Sequence, residues 1–296
     1  NGQDFVAWNF KAGGVAVANT DGDINSQVSV NNTLGFSIVS YTGSSTLGNT
    51  IGHGLDSAPD LIICKKTTST ANWAVWSSTF SAASETLFLD LTSPSNQYIN
   101  RFGTVTSTTF QAGSSGGDEV NPSGGGMIAY CFASKPGMSK VGSYTGNGST
   151  SGPMIQTGFE PAFVMIKSAS SSGTAWNMWD NKRTPYDMLR ANASDAEYAG
   201  PGRIQFFANG FQLLDADASR NSSGGNYIYL AFAADGSTAT PSLANSFATE
   251  LYTGNGGTQS VTTGFKPDFT WTKSRNGVNY HQLFDSVRGA TKAIES

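Results

Sequence analysis

The chain has 296 residues, 38% of them hydrophobic and only 13% charged, and a formal net charge of −4. Mild acidity without any run of Lys or Arg, and no apolar stretch near ~18 residues, exclude a nucleic-acid partner and membrane insertion by a helix. Its 35 Gly and its wealth of Ser, Thr and Asn, beside 18 Phe, 10 Tyr and 6 Trp, describe many short strands joined by tight turns.

In chain order, "FVAWNFKAG" (Phe5–Gly13) reads as a closing strand that belongs to a preceding copy of a repeated unit, so that the chain is expected to be cut from a longer array. "NTDGDIN" follows, with Asn19, Asp21, Asp23 and Asn25 at every second position as in calcium loops. Ile24 stands where the loop needs Gly and no Glu closes it, so a polar turn is expected instead. Apolar runs bounded by Gly, Asn, Ser and Pro predict strands near 36–42, 60–66, 72–77, 86–91, 108–112 and 126–133, with equivalents later in the chain. Cys64 and Cys131 lie inside two of these runs and read as buried free thiols rather than a disulfide. The segment 113–126, "GSSGGDEVNPSGGG", reads as a mobile loop and not as a phosphate-binding loop, because no Lys and no helix follow it. Thr184–Tyr198 is the one segment able to hold a short helix.

The turn at Tyr41 ("YTGSSTL") returns at Tyr144 ("YTGNGST") and at Tyr252 ("YTGNGGT"). Each is followed by a skeleton of apolar residue, two variable residues, Gly, apolar residue, two variable residues and Pro. A run ending at Lys65, Lys167 or Lys273 then follows. Trp73 and Trp76 repeat as Trp176 and Trp179 at a spacing of 103 residues, and "NYHQLFDS" stands in the third place. Asp180 and Arg183 recur as Asp285 and Arg288, whereas the first copy has Ser77 and Phe80. Periodicity at this length is read before any motif. It predicts an all-β fold of tandem antiparallel β-sandwich repeats, jelly-roll or lectin-like, of about 100 residues each. The expected parts are residues 1–34 (closing strand and linker), 35–138 (first repeat), 139–246 (second repeat) and 247–296 (first half of a third).

The segments "AWNFKAGG", "NTDGDINSQVSVNNTLGFSIVSYTG", "GHGLDSAPDLIICK", "YCFA", "KVGSYTGNGST", "TGFEPAFVMIKS" and "NYIYLAFA" resemble the repeats of tail-fibre-like virion proteins of tailed bacteriophages, marine ones especially. The resemblance covers nearly the whole chain. It implies a non-enzymatic structural or host-attachment role at the virion surface, self-association as a homotrimer, contact with other virion proteins and with host surface polysaccharide, and no cofactor. The first copy departs from the pattern by lacking the "DNKR" cluster.

His53 and His281 have no ligand partners at metal spacing and read as satisfied structural histidines, so no metal is expected. An acid pair for glycoside hydrolysis would have to come from Asp180, Asp187, Asp215 or Asp217, all in predicted turns. The paired Trp suggest a sugar-stacking platform, with Trp76, Trp179, Asp180 and Arg183 as the candidate glycan-binding residues. Their bland alternatives are a core pair and a local salt bridge. Spacing of three puts the two rings on opposite faces of a strand, so one of each pair is expected to point inward. A tandem carbohydrate-binding module of a secreted protein and a glycan depolymerase are the competing readings.

Overall fold

Strand-forming residues alternate with turn residues along the whole chain, and the fold follows that rhythm. The computed structural model describes residues 2–82, 84–96, 98–113, 119–183, 187–200, 203–233 and 246–296. The described residues form strands and turns without a helix, and the strands pair antiparallel. The one segment able to hold a short helix, Thr184–Tyr198, forms instead, from residue 187 onward, a short strand Leu189–Arg190 and a bridge between Met188 and Tyr198. Its first three residues lie outside the described residues, as do 114–118 of the glycine-rich loop and 234–245 at the predicted boundary between second and third copies.

Three sheets share one strand order. In the first sheet an opening strand (Phe36–Thr42) is followed by a closing strand (Gly126–Phe132), then Leu61–Lys66, Ala74–Ser77 and Glu85–Phe88. This sheet is extended to eight strands by the hairpin Val17–Asn19 and Ser26–Asn31 at one edge and by Tyr98–Ile99 at the other. The second sheet runs Ser139–Thr145, Asn226–Ala233, Pro161–Ser168, Asn177–Asp180 and Leu189–Arg190. The third runs Phe247–Thr253, Asp4–Phe10, Phe269–Ser274, Gln282–Asp285 and Ile294–Glu295.

The N-terminal strand thus corrects the sequence reading, which placed it with a preceding copy. Asp4–Phe10 lies between the opening strand and Phe269–Ser274 of the same chain, with Trp8 opposite both Thr249 and Trp271. The equivalence extends to the turn before it. Gly2, Gly124 and Gly224 all have φ between 63° and 73°, and each precedes a closing strand while its N–H donates to the Gly of a Tyr-Thr-Gly turn. Such φ values are accessible to Gly at no steric cost.

Two smaller sheets cover the outer faces of the first and second sheets. Strands Phe102–Val105, Thr109–Ala112 and Thr50–Gly52 cover the first. Strands Met154–Gln156, Gly210–Leu213 and Ile204–Phe207 form their counterpart. Between the first sheet and its cover lie Val39, Ile62, Cys64, Trp76, Ala129 and Cys131, facing Ile51, Phe102 and Phe110, which is the layered core of a β-sandwich. On the third sheet the matching face carries Asn9, Thr270 and Thr272, and Thr270 Oγ1 donates to Asn9 Oδ1 at 2.9 Å.

The inner faces of all three sheets meet in one shared core. At its centre Phe10, Phe132 and Phe232, one from each closing strand, stand at mutual centroid separations of 5.0, 5.9 and 6.2 Å. Phe36, Phe163, Phe247 and Phe269 surround them. Each such aromatic pair adds ~0.5–1.5 kcal/mol beyond its buried area.

The recurrent turn is explained by what it docks against. Tyr41 Oη donates to Val120 O at 2.6 Å and Tyr144 Oη to Arg220 O at 2.7 Å. The next residues, Asn121 and Asn221, accept from the turn amides of Ser44 and Asn147 at 2.7 and 2.9 Å. A Cβ on Gly43 or Gly146 would stand 2.1 or 2.3 Å from a backbone oxygen, so only glycine permits this approach. The "NTDGDIN" turn is likewise structural: Asp23 Oδ2 accepts from the amide and hydroxyl of Thr50 at 3.0 and 2.8 Å. Among the described residues no group of acids, His or Cys is arranged to hold a metal.

Candidate functional site

The residues expected to bind glycan are not at the surface. Trp76 is 7% exposed beneath the small sheet, Trp179 is 1% exposed, and Asp180 and Arg183 are 5% and 3% exposed. As folded, none of the four offers a face to a sugar, which corrects the platform reading. The reason is contact between sheets, a cover sheet over Trp76 and the third sheet against Asp180 and Arg183, which sequence periodicity along one strand does not reveal. Trp73 packs in the shared core and Trp76 in the sandwich core, as a spacing of three on a strand dictates.

Asp180 and Arg183 form a clamp. Arg183 Nε donates to Asp180 Oδ2 at 2.8 Å, and the amides of Lys182 and Arg183 donate to Oδ1 at 3.1 Å. The same carboxylate accepts the indole N–H of Trp8 in the third sheet at 3.1 Å, and the guanidinium lies over that ring. At the next seam the pattern repeats. Arg288 Nε donates to Asp285 Oδ2 at 2.6 Å, and Tyr130 Oη in the first sheet donates to the same oxygen at 2.9 Å. Trp8 and Tyr130 occupy the same register position in their closing strands, opposite Trp271 and Ile63. The second sheet has Leu230 there, opposite Met165, and the first sheet has Ser77 and Phe80 in place of the Asp and Arg. Donor and acceptor are therefore missing together at one seam of three.

A second cycle of hydrogen bonds closes the ring. Trp73 Nε1 donates to Glu295 O at 3.3 Å, Trp176 Nε1 to Phe88 O at 2.7 Å, and His281 Nε2 to Arg190 O at 2.8 Å. Each acceptor lies in the fifth strand of the order that the three sheets share. His281 replaces the Trp because it does two things: its Nδ1 accepts from Trp271 Nε1 at 2.8 Å while its Nε2 donates. Burial lowers its pKa to about 3, which keeps the ring neutral. His53 is also buried, accepting from Leu55 N at 3.1 Å, with its pKa lowered by desolvation.

The three lysines that end the repeated apolar runs are buried as well. Lys167 Nζ donates to Thr174 Oγ1 at 2.9 Å and Ser168 O at 3.1 Å, and Lys273 Nζ to Asp195 O and Ser274 O, both at 2.7 Å. Lys65 Nζ donates to Ala71 O and lies 5.2 Å from the centroid of Trp73. Desolvation pulls Lys167 and Lys273 down to about 8. Of the acids considered for hydrolysis, Asp180 is held by Arg183, while Arg220 binds Asp215 through Nε at 2.8 and 3.0 Å and pairs with Asp217 at 3.3 Å. Asp187 is half-buried beside the undescribed segment 184–186.

Sequence reasoning missed the cleft between the first and second sheets. It has a volume of about 520 Å³ and lies between Thr79, Phe80, Ser81 and Glu85 of the first sheet and the Ser143–Thr145 edge of the second. Its position is the seam that lacks the clamp. At the seam between second and third sheets the corresponding space holds an ion triad. Glu197 there bridges Arg183 at 3.4 Å and Arg275 at 2.8 Å, and its amide donates to Arg275 O at 2.7 Å. At the cleft, Ser95 donates its amide to Ala169 O at 2.9 Å in the same way, so Phe80, Ser95 and Ala169 stand where Arg183, Glu197 and Arg275 stand. Shorter, uncharged side chains leave the space open. The signal was visible in the sequence as the departure of the first copy at Ser77 and Phe80, but its consequence depends on which sheets are neighbours.

Comparison with known proteins adds a family and no activity. No curated protein and no solved structure matches the chain. Residues 1–235 and 242–296 match the family described as Domain of unknown function (DUF7483). On a match that spans nearly all of its length, the chain belongs to the DUF7483 family.

Proposed function

We propose that the chain is a non-enzymatic structural segment of a virion surface fibre of the tail-fibre type, exposed outside the particle and able to touch host surface polysaccharide. The observation that carries this reading is the commitment of its reactive groups to architecture. The Asp180–Arg183 and Asp285–Arg288 pairs, His281 and the buried lysines all tie one strand, loop or sheet to another. Groups so engaged serve rigidity, which a module built to be stacked requires. Its partners in this reading are other virion proteins, and copies of itself as a homotrimer. Three sheets about one Phe centre offer a second solution, in which a single chain supplies a threefold-like cross-section.

Two measurements test the proposal. Purified virions of a phage encoding the chain should contain it by mass spectrometry and display it to gold-labelled antibody, and absence from the particle would refute the virion assignment. Light scattering of the pure chain separates a homotrimer from a single-chain ring. A second reading, a carbohydrate-binding module of a secreted protein, is favoured by the polar cleft between the first and second sheets. It predicts binding without incorporation into particles. A depolymerase would degrade envelope polysaccharide and lose that activity in Asp180→Asn or Asp215→Asn.

A further inference from the structure

We propose that the cleft between the first and second sheets is a binding site for a neutral oligosaccharide. The inference deepens the host-contact part of the proposed function and rests on it, but it does not need the virion assignment.

The walls decide the ligand class. Thr79, Ser81, Asn96, Ser143, Thr145 and Asn226 contribute hydroxyl and amide groups, each able to donate and accept. Among the described residues the lining contains no Lys or Arg, so an anionic ligand such as a phosphate or a sulfated glycan would find no counter-charge there. It contains one acid, Glu85, whose carboxylate already accepts from the hydroxyls of Ser81 and Ser95 and from the amide of Ala82. A cationic ligand would therefore compete with three existing donors. A purely apolar ligand would strip water from the hydroxyls without replacing it, at a cost of ~1–3 kcal/mol for each group left unpaired. A ligand that presents many hydroxyls together with apolar C–H faces satisfies both requirements. Half-buried Phe80 and Tyr144 line the same cleft and supply apolar surface for such faces. The volume, about 520 Å³, falls within the ~300–1,000 Å³ usual for ligand sites.

Asymmetry supports the assignment. Where the second and third sheets meet, the equivalent positions carry Arg183, Glu197 and Arg275, bonded to one another. At the cleft these positions carry Phe80, Ser95 and Ala169, and Leu230 stands where Trp8 and Tyr130 reach their clamps. An open, hydroxyl-lined seam in a ring whose other features repeat is the place where the chain departs from purely structural use of its seams.

The test titrates the intact chain with neutral gluco- and galacto-configured tetrasaccharides, with a sulfated tetrasaccharide as control, and follows backbone amide shifts by NMR. Binding of a neutral member at millimolar ligand is expected, with shifts at Ser143, Ser170 and Asn226 and none at Gln3 or Tyr252. Ser143→Trp, or Ser170→Trp should the first fold poorly by circular dichroism, is expected to weaken binding at least about tenfold at unchanged melting temperature. Shifts located elsewhere, stronger binding of the sulfated control, or no binding of any neutral member would overturn the inference. If adsorption of the chain to host envelopes persists in that last case, only the cleft assignment fails. If adsorption is lost as well, the host-contact reading fails with it.

Discussion

Trp8 donates its indole N–H to the Asp180 carboxylate at 3.1 Å, across the seam between the third and second sheets and 172 residues along the chain. That bond has a partner in kind, Tyr130 to Asp285 at 2.9 Å, and an apolar substitute at the remaining seam, where Leu230 meets a sheet with Ser77 and Phe80. Removing one member of a buried pair leaves the other charge uncompensated. Asp180→Ala is expected to cost ~3–5 kcal/mol in denaturant unfolding. The triple change Trp8→Leu, Asp180→Ser and Arg183→Phe copies the residues of the seam without the clamp and is expected to recover most of that loss. A triple variant no more stable than Asp180→Ala would show that the two seam types are not interchangeable.

Phe10 is as central as Phe132 and Phe232 although it belongs to the first strand of the chain. Phe10→Ala and Phe232→Ala should each lower stability by ~3–5 kcal/mol. Because the rings touch at 5.0 Å, the double variant should lose less than the sum. Deleting residues 2–10 exposes both neighbouring strands as free edges and is expected to yield aggregated protein in size-exclusion chromatography.

His281 makes the fold sensitive to acid. Its folded pKa of about 3 lies below the ordinary 6.5, so the unfolded chain takes up the proton first as pH falls. The stability held by the neutral ring is complete above pH 6.5 and declines as pH drops toward 3, with a limiting slope of about 1.4 kcal/mol per pH unit for one proton. His53, lowered by burial, acts in the same direction. His281→Gln keeps one acceptor for Trp271 and one donor for Arg190 without titrating. A chemical-denaturation series from pH 7 to 5 should be flatter for that variant.

Lys167 and Lys273 act at the other end of the scale. Both are lowered to about 8 by desolvation, against an ordinary value of 10.5. Between these limits the unfolded chain holds more protons than the folded one, so their contribution to stability rises with pH. Lys167→Met is expected to reduce that rise between pH 8 and 10, read as a smaller increase in denaturation midpoint.

Cys64 and Cys131 are buried free thiols, and desolvation pushes Cys131 up to about 12 and Cys64 well above its usual range. Neither should react with a thiol reagent such as DTNB at pH 8 until the chain unfolds, so labelling should follow global unfolding kinetics. Rapid labelling of either thiol in native buffer would contradict the packing described.

Much of the local structure was legible in the sequence. The strands expected at 36–42, 60–66, 108–112 and 126–133 coincide within a residue or so with Phe36–Thr42, Leu61–Lys66, Thr109–Ala112 and Gly126–Phe132, because their apolar runs are long and bounded by turn residues. Short strands such as Thr50–Gly52 and Tyr98–Ile99 were not, since two or three residues cannot display a period. Burial of Trp76 and Trp179 followed the default for large aromatics, yet which residues cover them depends on a second sheet built from distant chain.

What the sequence determined by itself is therefore the set of elements: the antiparallel strands, the glycine turns that only a residue without Cβ can make, and the recurring Asp and Arg at a spacing of three. What only tertiary structure decided is which elements meet. The placement of Asp4–Phe10 beside Phe269–Ser274, the Trp8 to Asp180 bond and the opening of a cleft at the seam without the clamp all join residues far apart in the chain. Local propensity carries no record of such pairings. They are selected by the burial of inner faces and by the need of each buried donor for an acceptor, and both conditions are set by the whole ring at once.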